Sequence, residues 1–265
     1  MAVLDNASYA SGTMNIFLGN GDGTFQPAKT FVVDSGIDAA AFAVADFDMD
    51  GILDIAVINS CTNVQCNNGT LGILIGNGDG TFHDGVTLNI PSDPSVIVAA
   101  NFNNDGIPDL AIGDDAKIEI FDGASDGTFN LAGSVSGGGM PIGLLTADFN
   151  GDGNTDLGIL VCCSGVFYVT LGNGDNQFGP LLDGLRVVSS TPVAADFNGG
   201  IPDVATSGGQ VLLGNGDGTF QLINLSPDAG GVSVQSAILG NDTLRDIIYG
   251  GGSLNPVSVF TNATK

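Results

Sequence analysis

Aspartates recur in this chain at spacings that suit a hard cation. In Asp46–Asp54 (DFDMDGILD) carboxylates stand at loop positions 1, 3, 5 and 9, as Asp46, Asp48, Asp50 and Asp54, with Gly51 to permit the sharp turn and the carbonyl of Ile52 at position 7. Calcium takes about six to eight oxygen ligands, and a tight loop of acids followed by glycine can wrap it. Carboxylates packed this closely repel one another unless a cation offsets their charge. A second loop, Asn101–Asp109 (NFNNDGIPD), offers Asn101, Asn103, Asp105, the Ile107 carbonyl and Asp109. A third, Asp148–Asp156 (DFNGDGNTD), offers Asp148, Asn150, Asp152, the Asn154 carbonyl and Asp156. Ligand charge predicts the calcium affinity order first, third, second. A fourth loop, DFNGGIPD, is one residue short and lacks the central acid, so Asp196, Asn198 and Asp203 suit a hydrogen-bonded turn better than an ion. At Leu239 the fifth copy lacks even its first ligand. A single such loop could be an Asx turn that only satisfies backbone amides. Three in register, each ending in an aspartate before an apolar strand, point to metal.

The elements that must hold these loops follow from the repeat. The acidic loops start at residues 46, 101, 148, 196 and 239, a unit of about 45 residues. Alternating with them is LGNGDGTF at Leu18–Phe25 and Leu213–Phe220, with variants ending at Phe82, Phe129 and Phe178. Within one unit, apolar runs predict strands at Ala40–Ala45, Asp54–Ile58, Leu71–Ile75 and Val86–Ile90. The acidic loop joins strands one and two. The Asn-Gly-Asp-Gly turn joins strands three and four, as positive-φ hairpin chemistry requires. One acid per turn (Asp22, Asp79, Asp175, Asp217) favours a structural role there, and the phenylalanine ending each turn is expected to pack between units. Four short antiparallel strands make a propeller blade. The fold class is therefore all-β, a β-propeller spanning residues 1–265 as one domain. Its units fall at about 2–36 (partial), 37–91, 92–137, 138–188, 189–230 and 231–265 (partial). The N-terminus enters at strand two (Val3-Leu4) and the last strand is a third one (Val257–Phe260), giving 22 strands. Six blades are favoured. Five is the alternative, if Ser236–Leu239 completes the first blade.

Composition narrows the function. There are 42 glycines, no tryptophan, and 29 acidic residues against five lysines and arginines, a formal charge of -24. Glu119 is the only glutamate, so aspartate, the turn and hard-cation residue, dominates. Such a surface repels phosphate backbones and anionic membranes, which excludes nucleic acid as a partner. No apolar run is long enough to span a bilayer, so no membrane insertion is expected. Met1-Ala2 leads almost directly into a repeat-like segment without a basic-then-apolar leader, and the natural start is expected to have been trimmed or assigned elsewhere. Cys61 and Cys66 could close a short disulfide loop or remain free, whereas adjacent Cys162 and Cys163 are expected as thiols. An even cysteine count without a Cys/His ligand set suggests an oxidising compartment rather than zinc.

The segments DFDMDGILDIAV, NFNNDGIPDLAI and DFNGDGNTDLGIL, with LGNGDGTFQPA, resemble the FG-GAP/VCBS repeats found in the propeller heads of integrin α subunits and in many bacterial proteins. The resemblance implies a propeller whose calcium ligands sit at loop positions 1, 3, 5, 7 and 9, on the residues named above. It implies an extracellular or cell-surface, secreted protein. Its expected role is a calcium-stabilised protein-interaction or surface-scaffold module, not an enzyme, with an unidentified protein or glycan ligand. The alternative is a lectin of the same repeat type, although only three tyrosines (Tyr9, Tyr168, Tyr249) and no tryptophan are present for sugar stacking. A propeller-based hydrolase or lyase is the remaining alternative. His83, the single histidine, follows a turn phenylalanine and reads as a solvated loop residue, and no nucleophile motif accompanies it. Five Asn-x-Ser/Thr sequons (Asn6, Asn68, Asn224, Asn241, Asn262) would matter only in a eukaryotic secretory pathway.

Overall fold

The structure, a computed structural model, describes residues 1–5, 13–32, 37–61, 68–90, 92–188, 191–225, 233–239, 245–250 and 257–260. Short runs of β-branched and other apolar residues, each bounded by glycine or aspartate, form 22 strands among these residues, all paired antiparallel. Consecutive strands make six separate sheets. Two compact units result, Met1–Asn101 with Asp105–Val135 and Phe102–Asn104 with Ser136–Lys265.

In the first unit, β1 (Ala2–Asp5), β2 (Thr13–Ile16) and β3 (Lys29–Val32) make a three-stranded sheet. Next come β4 (Ile37–Ala45), β5 (Asp54–Cys61), β6 (Gly69–Gly76) and β7 (Phe82–Ile90), then β8 (Val96–Ala100), β9 (Asp109–Gly113), β10 (Lys117–Gly123) and β11 (Phe129–Ser136). The second unit holds β12 (Pro141–Ala147), β13 (Asp156–Val161), β14 (Val166–Thr170) and β15 (Leu185–Arg186). It continues with β16 (Pro192–Ala195), β17 (Asp203–Thr206), β18 (Gln210–Gly214) and β19 (Phe220–Asn224), and with β20 (Ser233–Ala237), β21 (Asp246–Gly250) and β22 (Val257–Phe260). Ser236 and Ala237 pair with β21 in this last sheet. The described acidic loops join first to second strands, as the repeat predicts. His83 is the second residue of β7 rather than a loop residue, and it is exposed.

Within each unit the first strands of successive sheets lie against one another, β4 on β8, and β12 on β16 on β20. The second strands β9, β13 and β17 are buried along their whole length and read as continuous apolar runs. Fourth strands, with one face outward, alternate, as β7 and β11 do. Cys162 and Cys163 are both free thiols. Cys66 and the Cys61 side chain lie outside the described residues, as do the sequons at Asn6, Asn241 and Asn262.

One ion pair was not legible in the sequence. Glu119, on β10, is 3% exposed and Asp114 2% exposed, and Lys117 reaches both, with Nζ to Glu119 Oε1 2.5 Å and to Asp114 Oδ2 3.6 Å. The Glu119 carboxylate accepting this bond raises the Lys117 pKa. Lys117→Met leaves two buried acids without a counter-charge and is expected to cost about 3 kcal/mol in urea unfolding at pH 7.

Glycine at the end of the third strand meets a specific constraint. A Cβ on Gly76, Gly123 or Gly172 would lie 2.4, 2.2 and 2.2 Å from the carbonyl oxygens of Leu53, Pro108 and Thr155, the residues just before the loop-closing aspartates. Gly19, at the same repeat position with no acidic loop ahead of it in the chain, has nothing within 4 Å. Gly123→Ala should therefore destabilise by about 2 kcal/mol or more, while Gly19→Ala stays within about 0.5 kcal/mol of the parent. Equal effects in denaturant titrations would show that the backbone approach is not the reason for glycine.

Candidate metal centre

The loop-closing aspartate turns out to be a backbone clamp. Asp54 is fully buried; its Oδ2 accepts the Phe47 N–H at 2.7 Å and its Oδ1 accepts the Gly76 N–H at 2.8 Å. Asp156 repeats this with Phe149 and Gly172 at 2.8 and 2.9 Å, and Asp203 with Phe197 and Gly214 at 3.0 and 2.8 Å. Asp109 accepts the Gly123 N–H and Asp246 the Leu239 N–H. One carboxylate thus ties the loop's second residue to the third strand. The close approach of these chains is what the glycine at the strand end permits. The clamp persists in the fourth and fifth copies, where the other acids are lost. That persistence was the sequence signal for a role separate from metal binding.

The first loop gathers the remaining acids. Asp46, Asp48 and Asp50 each place a carboxylate oxygen within 4.8 Å of the others. Asp46 also holds the turn, accepting the N–H groups of Asp50 and Gly51 at 3.0 and 2.8 Å, and Asp50 accepts that of Ile52 at 2.7 Å. Met49 and Gly51 both have positive φ, 61° and 87°, which curls the loop so that the three side chains converge. Desolvation raises the Asp48 pKa, and the charges of Asp54, Asp50 and Asp46 add to it. Such a group gains from a neighbouring cation.

In the second loop Asp105 accepts the Ile107 N–H at 2.8 Å, and Asn104 and Gly106 take the two positive φ values. The buried Oδ1 of Asn101, at loop position 1, has no hydrogen-bond partner among the described residues. An orphaned oxygen at a ligand position fits a cation. Asn103 is half-buried and Asp109 serves the clamp.

In the third loop Asp148 accepts from Gly151, Asp152 and Gly153 at 2.7, 3.1 and 2.9 Å. Asn150 donates its Nδ2 to Asp152 Oδ2 at 2.9 Å, and the side-chain oxygen of Asn154 accepts from Asn104 at 2.8 Å. The backbone N–H of Asn154, followed by the Asn150 amide, lowers the Asp152 pKa. Asp156 is pushed up to about 6, chiefly by burial, with Asp152 and Asp148 adding repulsion that its two backbone bonds do not cancel. In the fourth loop Asp196 accepts from Asn198, Gly199 and Gly200, so this turn is closed by hydrogen bonds.

The Asn-Gly-Asp-Gly turns are structural. Asp22, Asp79, Asp126 and Asp217 each accept both the N–H and the hydroxyl of the threonine two residues on, which lowers their pKa values. Three turn phenylalanines pack against loop phenylalanines of another repeat, whereas Phe82 meets Phe31. Phe47 meets Phe129, Phe102 meets Phe178 and Phe149 meets Phe220, each edge-on with centroids 5.5 Å apart. Phe25 departs from the expectation; it is half exposed and meets only its near neighbour Phe17.

Residues 3–57 and 101–159 match the FG-GAP-like repeat. Over those segments the chain is similar to FG-GAP-like repeats, and the fold is that of β-propellers. Among solved structures, a lectin from Agrocybe aegerita described for recognition of non-reducing terminal N-acetylglucosamine matches with a TM-score of 0.61 at 21% identity, over 99% of this chain and 80% of the lectin chain. BBS1N, solved in complex with ARL6DN, matches with a TM-score of 0.60 at 12% identity, over 98% of this chain and 78% of that one. The Dos1 propeller matches at 0.53 and 16% identity, over 95% and 63%. No curated protein matches the sequence.

The clamp can be tested where no metal is expected. Asp203→Asn replaces one acceptor with a donor facing a backbone N–H, and should cost about 2 kcal/mol in denaturant titrations, equally with calcium and with chelator. A cost that appears only with calcium would identify Asp203 as a metal ligand instead.

Proposed function

We propose that this FG-GAP propeller is a calcium-stabilised, extracellular module for protein interaction or surface scaffolding. The observation that carries the calcium reading is the convergence of Asp46, Asp48 and Asp50 on one curled loop. The orphaned Asn101 oxygen and the repelled Asp156 carboxyl supply the same argument in the second and third loops. Calcium would be held by Asp46, Asp48, Asp50, the Ile52 carbonyl and Asp54 in the first, by Asn101, Asn103, Asp105, the Ile107 carbonyl and Asp109 in the second, and by Asp148, Asn150, Asp152, the Asn154 carbonyl and Asp156 in the third. Asp54, Asp109 and Asp156 close each loop from beneath. The ion supplies only positive charge and a fixed turn, so the role is structural. Exposed surface loops suit the weak affinities of extracellular calcium modules. With no nucleophile or base constellation among the described residues, the loop faces are left for binding.

A lectin is the second reading, favoured by the likeness to the N-acetylglucosamine-binding lectin of Agrocybe aegerita. The absence of tryptophan and the burial of Tyr249 weigh against it.

At free calcium about ten times the dissociation constant, each filled site adds about 1.4 kcal/mol. Three sites should raise the thermal midpoint by roughly 10 °C over protein in chelator, and Asp48→Asn with Asp50→Asn should remove the largest share. An unchanged midpoint sinks the metal assignment. A glycan array run with and without calcium separates the two binding readings, since reproducible sugar binding would select the lectin.

A further inference from the structure

At the end of β13 away from its acidic loop, the chain leaves the strand at Val161 and returns in β14 at Val166 through Cys162, Cys163, Ser164 and Gly165. Adjacent residues of a strand send their side chains to opposite faces, so neighbouring cysteines within β13 would hold their sulfurs apart. Here the pair lies in the turn instead, and the two Sγ atoms are 2.9 Å apart. The cause is a hydrogen bond of 2.7 Å from the Ser164 N–H to the Cys162 carbonyl, which closes a three-residue turn centred on Cys163 at φ 67°. Such a left-handed three-residue turn is rare and strained, most of all at a residue that carries a side chain. In the next sheet, the turn between β17 and β18 puts its positive φ on a glycine, Gly209 at 76°.

Both flanks of this turn are tied down. The Cys162 N–H donates to the Met140 carbonyl at 2.9 Å, and the Gly165 carbonyl accepts the Val187 N–H at 2.6 Å. A Cβ on Gly165 would lie 2.7 Å from the Val187 carbonyl oxygen, so glycine is what lets these two segments meet. The frame holds the strained residue in place, and left-handed non-glycine residues kept in this way concentrate at functional sites. Cys163 is exposed and Cys162 half-buried. The hydrogen bond with Cys163 raises the Cys162 pKa. Solvent therefore reaches Cys163 first, while Cys162 keeps its proton.

We infer that Cys162 and Cys163 form a thiol–disulfide exchange site, which reacts with low-molecular-weight disulfides and closes into a disulfide between neighbouring residues. The Cys163 thiolate attacks one sulfur of the external disulfide; a mixed disulfide forms on Cys163, the external S–S bond breaks and one thiolate leaves. Cys162 then gives up its proton and attacks the Cys163 sulfur, which closes an eight-membered ring and releases the second thiolate. Two protein thiols are oxidised, one external disulfide is reduced to two thiols, and the two protons pass to the departing thiolates. The usual obstacle to joining adjacent cysteines is the backbone distortion that the ring demands. This turn is already distorted, with the sulfurs side by side. The inference does not rest on the calcium reading, since the acidic loop adjoins Asp156 at the other end of β13.

The test uses the whole chain carrying Cys61→Ser and Cys66→Ser, which leaves only this pair. After reduction it is equilibrated with glutathione and glutathione disulfide in mildly alkaline buffer, and free thiols and intact mass are followed. Loss of both thiols and of two hydrogens is expected, with no glutathione retained. In the parent chain, the proteolytic fragment that holds residues 162–163 should show the same mass change. Adding Cys162→Ser should trap one glutathione on Cys163. Adding Cys163→Ser instead should slow the reaction about fivefold or more, because the remaining sulfur is half-buried. Repeating the equilibrium in urea, where the turn is lost, should lower the equilibrium constant for ring closure roughly tenfold or more. Unreacted thiols, glutathione retained beside an intact pair, disulfide-linked dimers, equal rates for the two single-cysteine variants, or an equilibrium constant that urea leaves unchanged would each overturn the inference.

Discussion

A carboxylate with no water around it must find donors, and in this protein that need organises each repeat. The buried aspartate at the start of the second strand takes one backbone N–H from the acidic loop and one from the end of the third strand. Charge-assisted bonds of this kind are about twice as strong as neutral ones. Losing either would leave a buried acceptor unsatisfied at a cost of about 1 to 3 kcal/mol. Three backbone segments are thereby held at fixed separation, so close that a methyl group on Gly123 would overlap the Pro108 carbonyl. The candidate metal ligands at positions 1, 3 and 5 stand on a loop whose lower end this clamp has already fixed.

The second residue of that loop links the repeats to one another. Its N–H is held by the clamp, so its phenylalanine side chain leaves in a fixed direction and enters the core against a turn phenylalanine. Edge-to-face aromatic pairs add about 0.5 to 1.5 kcal/mol beyond the area they bury. One buried acid therefore positions both the loop above and the aromatic contact beside it.

Electrostatics runs against this economy. A chain with 29 acidic residues keeps many of them at turns, where threonine hydroxyls and backbone amides lower the pKa of Asp22, Asp79, Asp126 and Asp217. The acidic loops are different. Asp48 and Asp156 are both raised, because desolvation and neighbouring carboxylates outweigh the hydrogen bonds they accept. Hydrogen bonds satisfy the turns, whereas the loops retain unbalanced negative charge. This contrast separates structural aspartates from candidate ligands.

By itself the sequence determined the repeat, the antiparallel four-strand unit, the placement of the acidic loop between first and second strands, and the candidate ligands. Those features are local. Alternation, turn glycines and loop spacing act over fewer than ten residues and recur in register, so they can be read one unit at a time. Tertiary structure alone decided what position 9 does, since the partners of Asp54 lie at Phe47 and Gly76 and the second is 22 residues away. It alone joined Lys117 to the buried Glu119 and Asp114, which spacing along a strand does not reveal. It also placed Ser236 and Ala237 in the last sheet, because strand partnership depends on which edge is free after the chain has folded.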